Sequence, residues 1–129
     1  TMHTGGIPAR VSTDGSDADT GLTDWSNAKA TLANAMSVMS AGDTLYISQS
    51  HSETTNGATT FTSTGTAANP CYFICADDGA APPTALATTA LVVTSGNSLM
   101  NFVGVSYVYG VKFHCGTNSS VFNCLLNDS

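Results

Sequence analysis

The stretch Asn27-Ala28-Lys29-Ala30-Thr31-Leu32-Ala33-Asn34-Ala35-Met36-Ser37-Val38-Met39-Ser40, followed closely by Gly42-Asp43-Thr44-Leu45-Tyr46-Ile47-Ser48, decides the fold. In its first half Ala28, Leu32, Ala35, Met36 and Met39 recur at spacings of three and four, which places them on one stripe. This predicts a helix over 27–40, capped by Asp24 or Ser26 and stopped at Gly42. The second half has no helical period and reads as a strand over 44–48. No later stretch returns to the helical spacing. Residues 71–76, 91–94, 99–103, 107–115 and 121–126 all read as strands, and 10–13 is a short strand ahead of the helix.

The segments between these elements are rich in Ser, Thr, Asn, Gly and Pro, which predicts loops over 14–21, 51–69 and 77–89. Asp14-Gly15, Asn56-Gly57 and Asp78-Gly79 all fall inside such loops rather than between two closely spaced strands. A meander of hairpins is therefore not expected. The strands recur instead at intervals of roughly 15 to 27 residues, which favours a solenoid with a helical cap at its front. A β-sandwich is the alternative.

Composition narrows the function. The 129 residues are enough for one domain. Only 9% are charged and the net charge is -6. The three cations, Arg10, Lys29 and Lys112, are scattered and cannot form a stripe that neutralises phosphates, so nucleic acid is excluded as a partner. No apolar run approaches the roughly 18 residues needed to cross a membrane. Ser and Thr supply 34 residues, and 42% of the chain is hydrophobic, so an apolar core under a neutral, hydroxyl-rich surface is expected. Residues 1–9, with Gly5, Gly6 and Pro8, read as a flexible arm. No signal peptide is expected at the start. Thr1 is the residue type that allows an initiator Met to be trimmed, with a processing scar as the alternative.

Few residues suggest chemistry. Cys71 and Cys75 sit in one strand, roughly 13 Å apart at a strand's rise, too far for a disulfide. Their spacing does not suit zinc either. Cys71, Cys75, Cys115 and Cys124 are read as small buried hydrophobes, with a Cys115–Cys124 bridge as the alternative. Asp14, Asp17 and Asp19, near Asp24, form the one calcium candidate, although their spacing is not that of an EF-hand. His51-Ser52-Glu53 invites comparison with a catalytic triad. Neighbours on an extended segment point to opposite faces, however, and no Gly-x-Ser-x-Gly elbow is present. These three are expected to be surface turn residues, as are His3 and His114. Tyr72, Tyr107 and Tyr109 are candidates for stacking on sugars.

Arg10-Val11-Ser12-Thr13-Asp14-Gly15-Ser16-Asp17, then Gly21, Trp25, the helix, the strand from Gly42 and finally Glu53 resemble the N-terminal cap of pectate-lyase-like right-handed β-helix proteins. Residues 107–113 and 121–126 are similar to coil strands of that superfamily. The resemblance covers most of residues 10–128. It implies an all-β fold, a short right-handed parallel β-helix with a cap over 10–41 and coils over 42–129. The general style resembles tailed-phage virion proteins. That implies a structural part of a virus particle, such as a decoration, fibre-base or tail-spike component, made in the host cytoplasm. Its expected partners are other virion proteins or copies of itself, met through the N-terminal arm and an uncapped last coil, and host glycans are a further candidate. No cofactor is expected. The superfamily's lyases use a base and cations on later coils, and its glycosidases need paired acids across a groove. The acids beyond the cap, Asp43, Glu53, Asp77, Asp78 and Asp128, do not offer that pairing, so no enzyme is expected. The alternatives are the N-terminal part of a polysaccharide-degrading β-helix enzyme, with the chain continuing past Ser129, a glycan-binding module, and an extracellular location.

Overall fold

The structure is a computed structural model that describes residues 9–22, 24–116 and 122–125, with Ala9 and 122–125 described for their backbone only. The N-terminal arm, apart from Ala9, and the residues around Asp128 lie outside the described residues. The described residues form ten strands: β1 (Ala9–Val11), β2 (Thr44–Ser48), β3 (Ser52–Thr55), β4 (Thr59–Thr62), β5 (Cys71–Ala76), β6 (Ala90–Thr94), β7 (Met100–Val103), β8 (Ser106–Tyr109), β9 (Val111–Cys115) and β10 (Phe122–Leu125). Among the described residues the helical ones are a 3-10 turn at Trp25–Asn27 and one α-helix, α1 (Leu32–Ser37). The fold is all-β, and every strand ladder is parallel.

The strands fall into three sheets, ordered β1-β2-β5-β8, β3-β6-β9 and β4-β7-β10. From β2 onward the chain visits these sheets in strict rotation, and each new strand lies beside the one laid down three strands earlier. Like therefore stacks on like. Leu45, Phe73 and Val108 share one register position, as do Ile47 and Cys75, and so do Phe61 and Phe102. Alternate residues face inward, and Leu45, Ile47, Phe73, Cys75 and Val92 are completely buried. The three sheets meet at an aromatic cluster. Phe102 lies 5.2 Å from Phe73 and 5.6 Å from Phe113, both edge-on, and Phe61 lies 6.4 Å from Phe102 and Phe113. Each fully buried ring stabilises the fold by about 1.5–3 kcal/mol.

The helix is shorter than the apolar stripe predicts. Lys29 instead bridges to the edge of the first sheet: its N–H donates to the Arg10 carbonyl, and the Ser12 N–H donates to the Lys29 carbonyl. Thr31 then caps α1 through its hydroxyl, which accepts from Asn34 N. Asp24 caps the 3-10 turn rather than the helix. The predicted loop over 51–69 contains two strands, β3 and β4. They carry Ser, Glu and Thr with Phe61 as their one apolar residue, so they show no apolar alternation and are extended because they pair with β6 and β7. The predicted strand over 107–115 is two strands. Gly110, at φ +75°, turns the chain from one sheet to the next.

One end of this stack is closed. Leu32, Ala35 and Met36 of α1 are buried in the core cluster, the Lys29 segment covers β1, and Thr13 covers β3 by accepting from Ser52 N and donating to Ser52 O. At the other end β8, β9 and β10 are the last described strands of their sheets.

Candidate functional site

Among the described residues five large apolar side chains are exposed; Leu86 and Leu99 lie in loops, and the other three lie together at that other end. Tyr107 is 62%, Val108 43% and Tyr109 48% exposed, all on β8. Tyr107 and Tyr109 point outward, and the Tyr107 ring stacks on Tyr72 of β5 with centroids 5.2 Å apart and planes 16° apart. The stacking follows from register, since parallel strands about 4.8 Å apart place equal side chains at stacking distance. Val108 occupies the inward position that Leu45 and Phe73 fill on the preceding strands of the sheet. Those two are fully buried, whereas among the described residues no further strand pairs with β8 beyond Val108. Tyr72, Tyr107 and Tyr109, chosen from the sequence for sugar contact, are thus brought together on one sheet face. Val108, which completes the patch, was missed because its apolar alternation reads as ordinary core.

The calcium candidates are not brought together. Asp17 Oδ1 accepts from Ala30 N, Thr31 N and the Thr31 hydroxyl at 3.0–3.1 Å, and so ties its loop to the start of α1. Asp14 is exposed and Asp19 half-buried. Asp24 accepts from Ser26, Asn27 Nδ2 and Asn27 N, and the Ser26 hydroxyl is the main cause that holds its carboxyl below the usual carboxylate range. Among the described residues no three His, Cys, Asp or Glu side chains group as a metal ion would require. Cys71, Cys75 and Cys115 are free thiols; the side chain of Cys124 lies outside the described residues.

His51 and Glu53 are not surface turn residues. The His51 side chain is fully buried and that of Glu53 is only 8% exposed. His51 Nε2 lies 2.8 Å from Glu53 Oε2, and the same oxygen accepts from Leu32 N at 2.9 Å. Two residues apart on a strand they share a face, and Glu53 takes the inward register position above Val92 and Phe113. By accepting from Leu32 N it fastens the first turn of α1 to the stack. His51 Nδ1 is buried with no hydrogen-bond partner. The third member of the sequence trio, Ser52, is exposed, its backbone N–H donates to the Thr13 hydroxyl, and it does not join the pair. His114 is exposed on β9, and Phe113 packs against the core.

Arg10 is buried on the outer face of the first sheet, with its guanidinium carbon near the rings of Trp25 and Tyr46. Burial lowers its pKa, opposed by Tyr46 and Asp24. Trp25 Nε1 donates to Ala80 O, and Asp78 accepts from Ser48 and Gln49, so the 77–89 loop is fastened over this face. A shallow groove of about 280 Å³ separates α1 from β4, lined by Met36, Ser37, Thr60 and Thr62 among others, with no charged side chain in its lining. No described helix is long and apolar enough to cross a membrane.

No protein-family model matches the chain, and no curated protein or solved structure is found to be similar to it.

Proposed function

We propose that the chain is a short right-handed parallel β-helix with an N-terminal cap, and that it serves as a structural component of a virus particle, of the tailed-phage decoration, fibre-base or tail-spike kind. The observation that carries the reading is the contrast between the two ends of the stack. One end is sealed by α1, Lys29 and Thr13, while the other presents Tyr107, Val108 and Tyr109 on the last described strand of its sheet. Exposed edge strands are ordinarily blunted with charge or Pro. An edge that instead carries two tyrosines and a valine suits a protein whose work is to join other protein. The rotation of strands among three parallel sheets supports the β-helix reading, and the cap residues support its kinship with the pectate-lyase-like superfamily. Immunogold labelling of purified particles with antibody to this chain tests the role. Label on the particle is expected, and label confined to the unassembled protein fraction overturns it.

Glycan binding is the second reading, favoured by the exposed rings of Tyr107 and Tyr109. It predicts that oligosaccharides quench tyrosine fluorescence in a saturable way that Tyr107→Ala removes.

A further inference from the structure

We propose that Asn56 is a site of spontaneous chemical modification, at which the side-chain amide is lost through attack by the backbone nitrogen of Gly57. The proposal stands apart from the particle role and needs no partner chain.

Asn56 and Gly57 lie at the corner where the chain leaves β3 and turns toward β4. Six asparagines have described side chains: Asn27, Asn34, Asn56, Asn69, Asn97 and Asn101. Ring closure onto the backbone needs an untethered side-chain amide, a following N–H and room around the next Cα. The Asn27, Asn34 and Asn101 amides donate to Asp24, Thr31 and Thr60. The N–H groups that follow Asn27 and Asn34 are committed as well, to Trp25 O and Thr31 O. Asn69 precedes Pro70, which has no N–H. Asn56 and Asn97 remain, both exposed and both outside the strands. They differ in the residue that follows. Ser98 sets a side chain beside the attacking nitrogen, whereas a Cβ at Gly57 would meet nothing within 4 Å. Glycine also turns freely about its backbone, so this peptide can rotate into the attack geometry at little steric cost.

The step balances without an oxidant or reductant. Hydroxide takes the Gly57 amide proton, and the nitrogen attacks Asn56 Cγ. The Cγ–Nδ2 bond breaks, ammonia leaves with a proton from water, and a succinimide ring closes. Water then opens the ring. Addition at Cγ gives aspartate, and addition at the backbone carbonyl gives isoaspartate, in which the chain runs through Cβ. Either product adds one negative charge to a chain whose net charge is already -6. Isoaspartate also lengthens by one methylene the link between β3, which carries Glu53, and β4.

One contact restrains this chemistry. The Gly57 N–H donates to the Ser95 hydroxyl at 2.9 Å, and the Ser95 N–H donates to Thr55 O. The attacking nitrogen is thereby held toward the end of β6. Ser95 is a positioning residue that slows closure, by about fivefold for a hydrogen bond of ordinary strength.

Incubation of the purified chain in warm neutral buffer tests this, with peptide mapping by mass spectrometry against a sample digested at the outset. Isoaspartate and aspartate are expected at Asn56, about tenfold or more ahead of any change at Asn97. Gly57→Ala is expected to slow the loss by about tenfold and Ser95→Ala to hasten it by about fivefold. Asn97 in the same samples reports any general loosening of a variant. An intact Asn56, aspartate without isoaspartate, or Asn97 keeping pace with Asn56 each overturns the proposal. Slower loss in Ser95→Ala overturns the role given to Ser95.

Discussion

The guanidinium carbon of Arg10 lies 5.5 Å from the centre of the Tyr46 ring, one strand across the same sheet. Trp25 stands 5.9 Å from the same carbon. A cation held between a strand and the loop that covers it joins the two. Arg10→Ala is expected to cost about 1–2 kcal/mol from the lost ring contacts. Trp25 is the chain's single tryptophan, so urea unfolding followed by its fluorescence reads both the loss and any loosening of the indole. Arg10→Lys recovers only part of the stability, because an ammonium lacks the planar face.

Removing Glu53 leaves His51 buried with no partner and the Leu32 N–H with no acceptor. Glu53→Ala is expected to destabilise the fold by about 3 kcal/mol. Glu53→Gln is expected to cost less, since an amide oxygen can still accept from Leu32. Denaturant unfolding compares the two, and equal losses would show that the carboxylate itself carries nothing.

Asp17 holds the start of α1 through its hydrogen bonds from Ala30 N, Thr31 N and the Thr31 hydroxyl. Asp17→Ala is expected to cost about 1 kcal/mol, the scale of a lost capping interaction, and Asp14→Ala close to nothing. Calcium is expected to leave the melting temperature of the wild-type chain unchanged. A calcium-dependent rise would restore the metal reading of Asp14, Asp17 and Asp19.

The pH response has two limbs. The Asp77 carboxyl is held below the usual carboxylate range, first by the Ala85 N–H and then by Thr84. A lowered folded pKa gives stability that is present above the ordinary aspartate value and lost as pH falls through the folded one. Amide exchange at Thr84 and Ala85 is expected to quicken in acid, and Asp77→Asn to remove the effect. Burial raises Tyr46, with Arg10 opposing. Stability tied to it is present below the ordinary tyrosine value and lost as pH climbs through the raised one, which absorbance titration would follow.

Gly110 allows the turn between β8 and β9. A Cβ there would stand 2.1 Å from Ala87 O on a backbone with φ +75°. Gly110→Ala is expected to cost more than the roughly 1 kcal/mol of a left-handed alanine, because backbone must also move. Thermal unfolding measures it.

The strands legible in the sequence were those with apolar alternation or apolar runs: β2 and β5 match their expected limits, and β6 and β7 differ by one residue. β3 and β4 were not legible, since Ser52–Thr55 and Thr59–Thr62 owe their conformation to neighbours far along the chain. The helix was legible in kind but not in length, because the Ala28–Ala30 stretch fits both a helical stripe and a sheet edge. Of the candidate site, the tyrosines were legible as aromatics on strands. Their clustering was not, since it depends on the register that sets β8 beside β5. His51 and Glu53 were misread because sequence polarity alone does not reveal a buried pair fastening a helix.

The rotation among three sheets also governs how the chain can fold. Ladder partners stand far apart in sequence, from Val92 with Phe113 to Phe61 with Phe102. No pair of adjacent strands can zip together as a hairpin, so each new row of hydrogen bonds requires a long loop to close first. Acquisition of structure should therefore be slow for a chain of this size. It should also run outward from the α1 end, where Glu53 anchors the first row against which every later one is aligned.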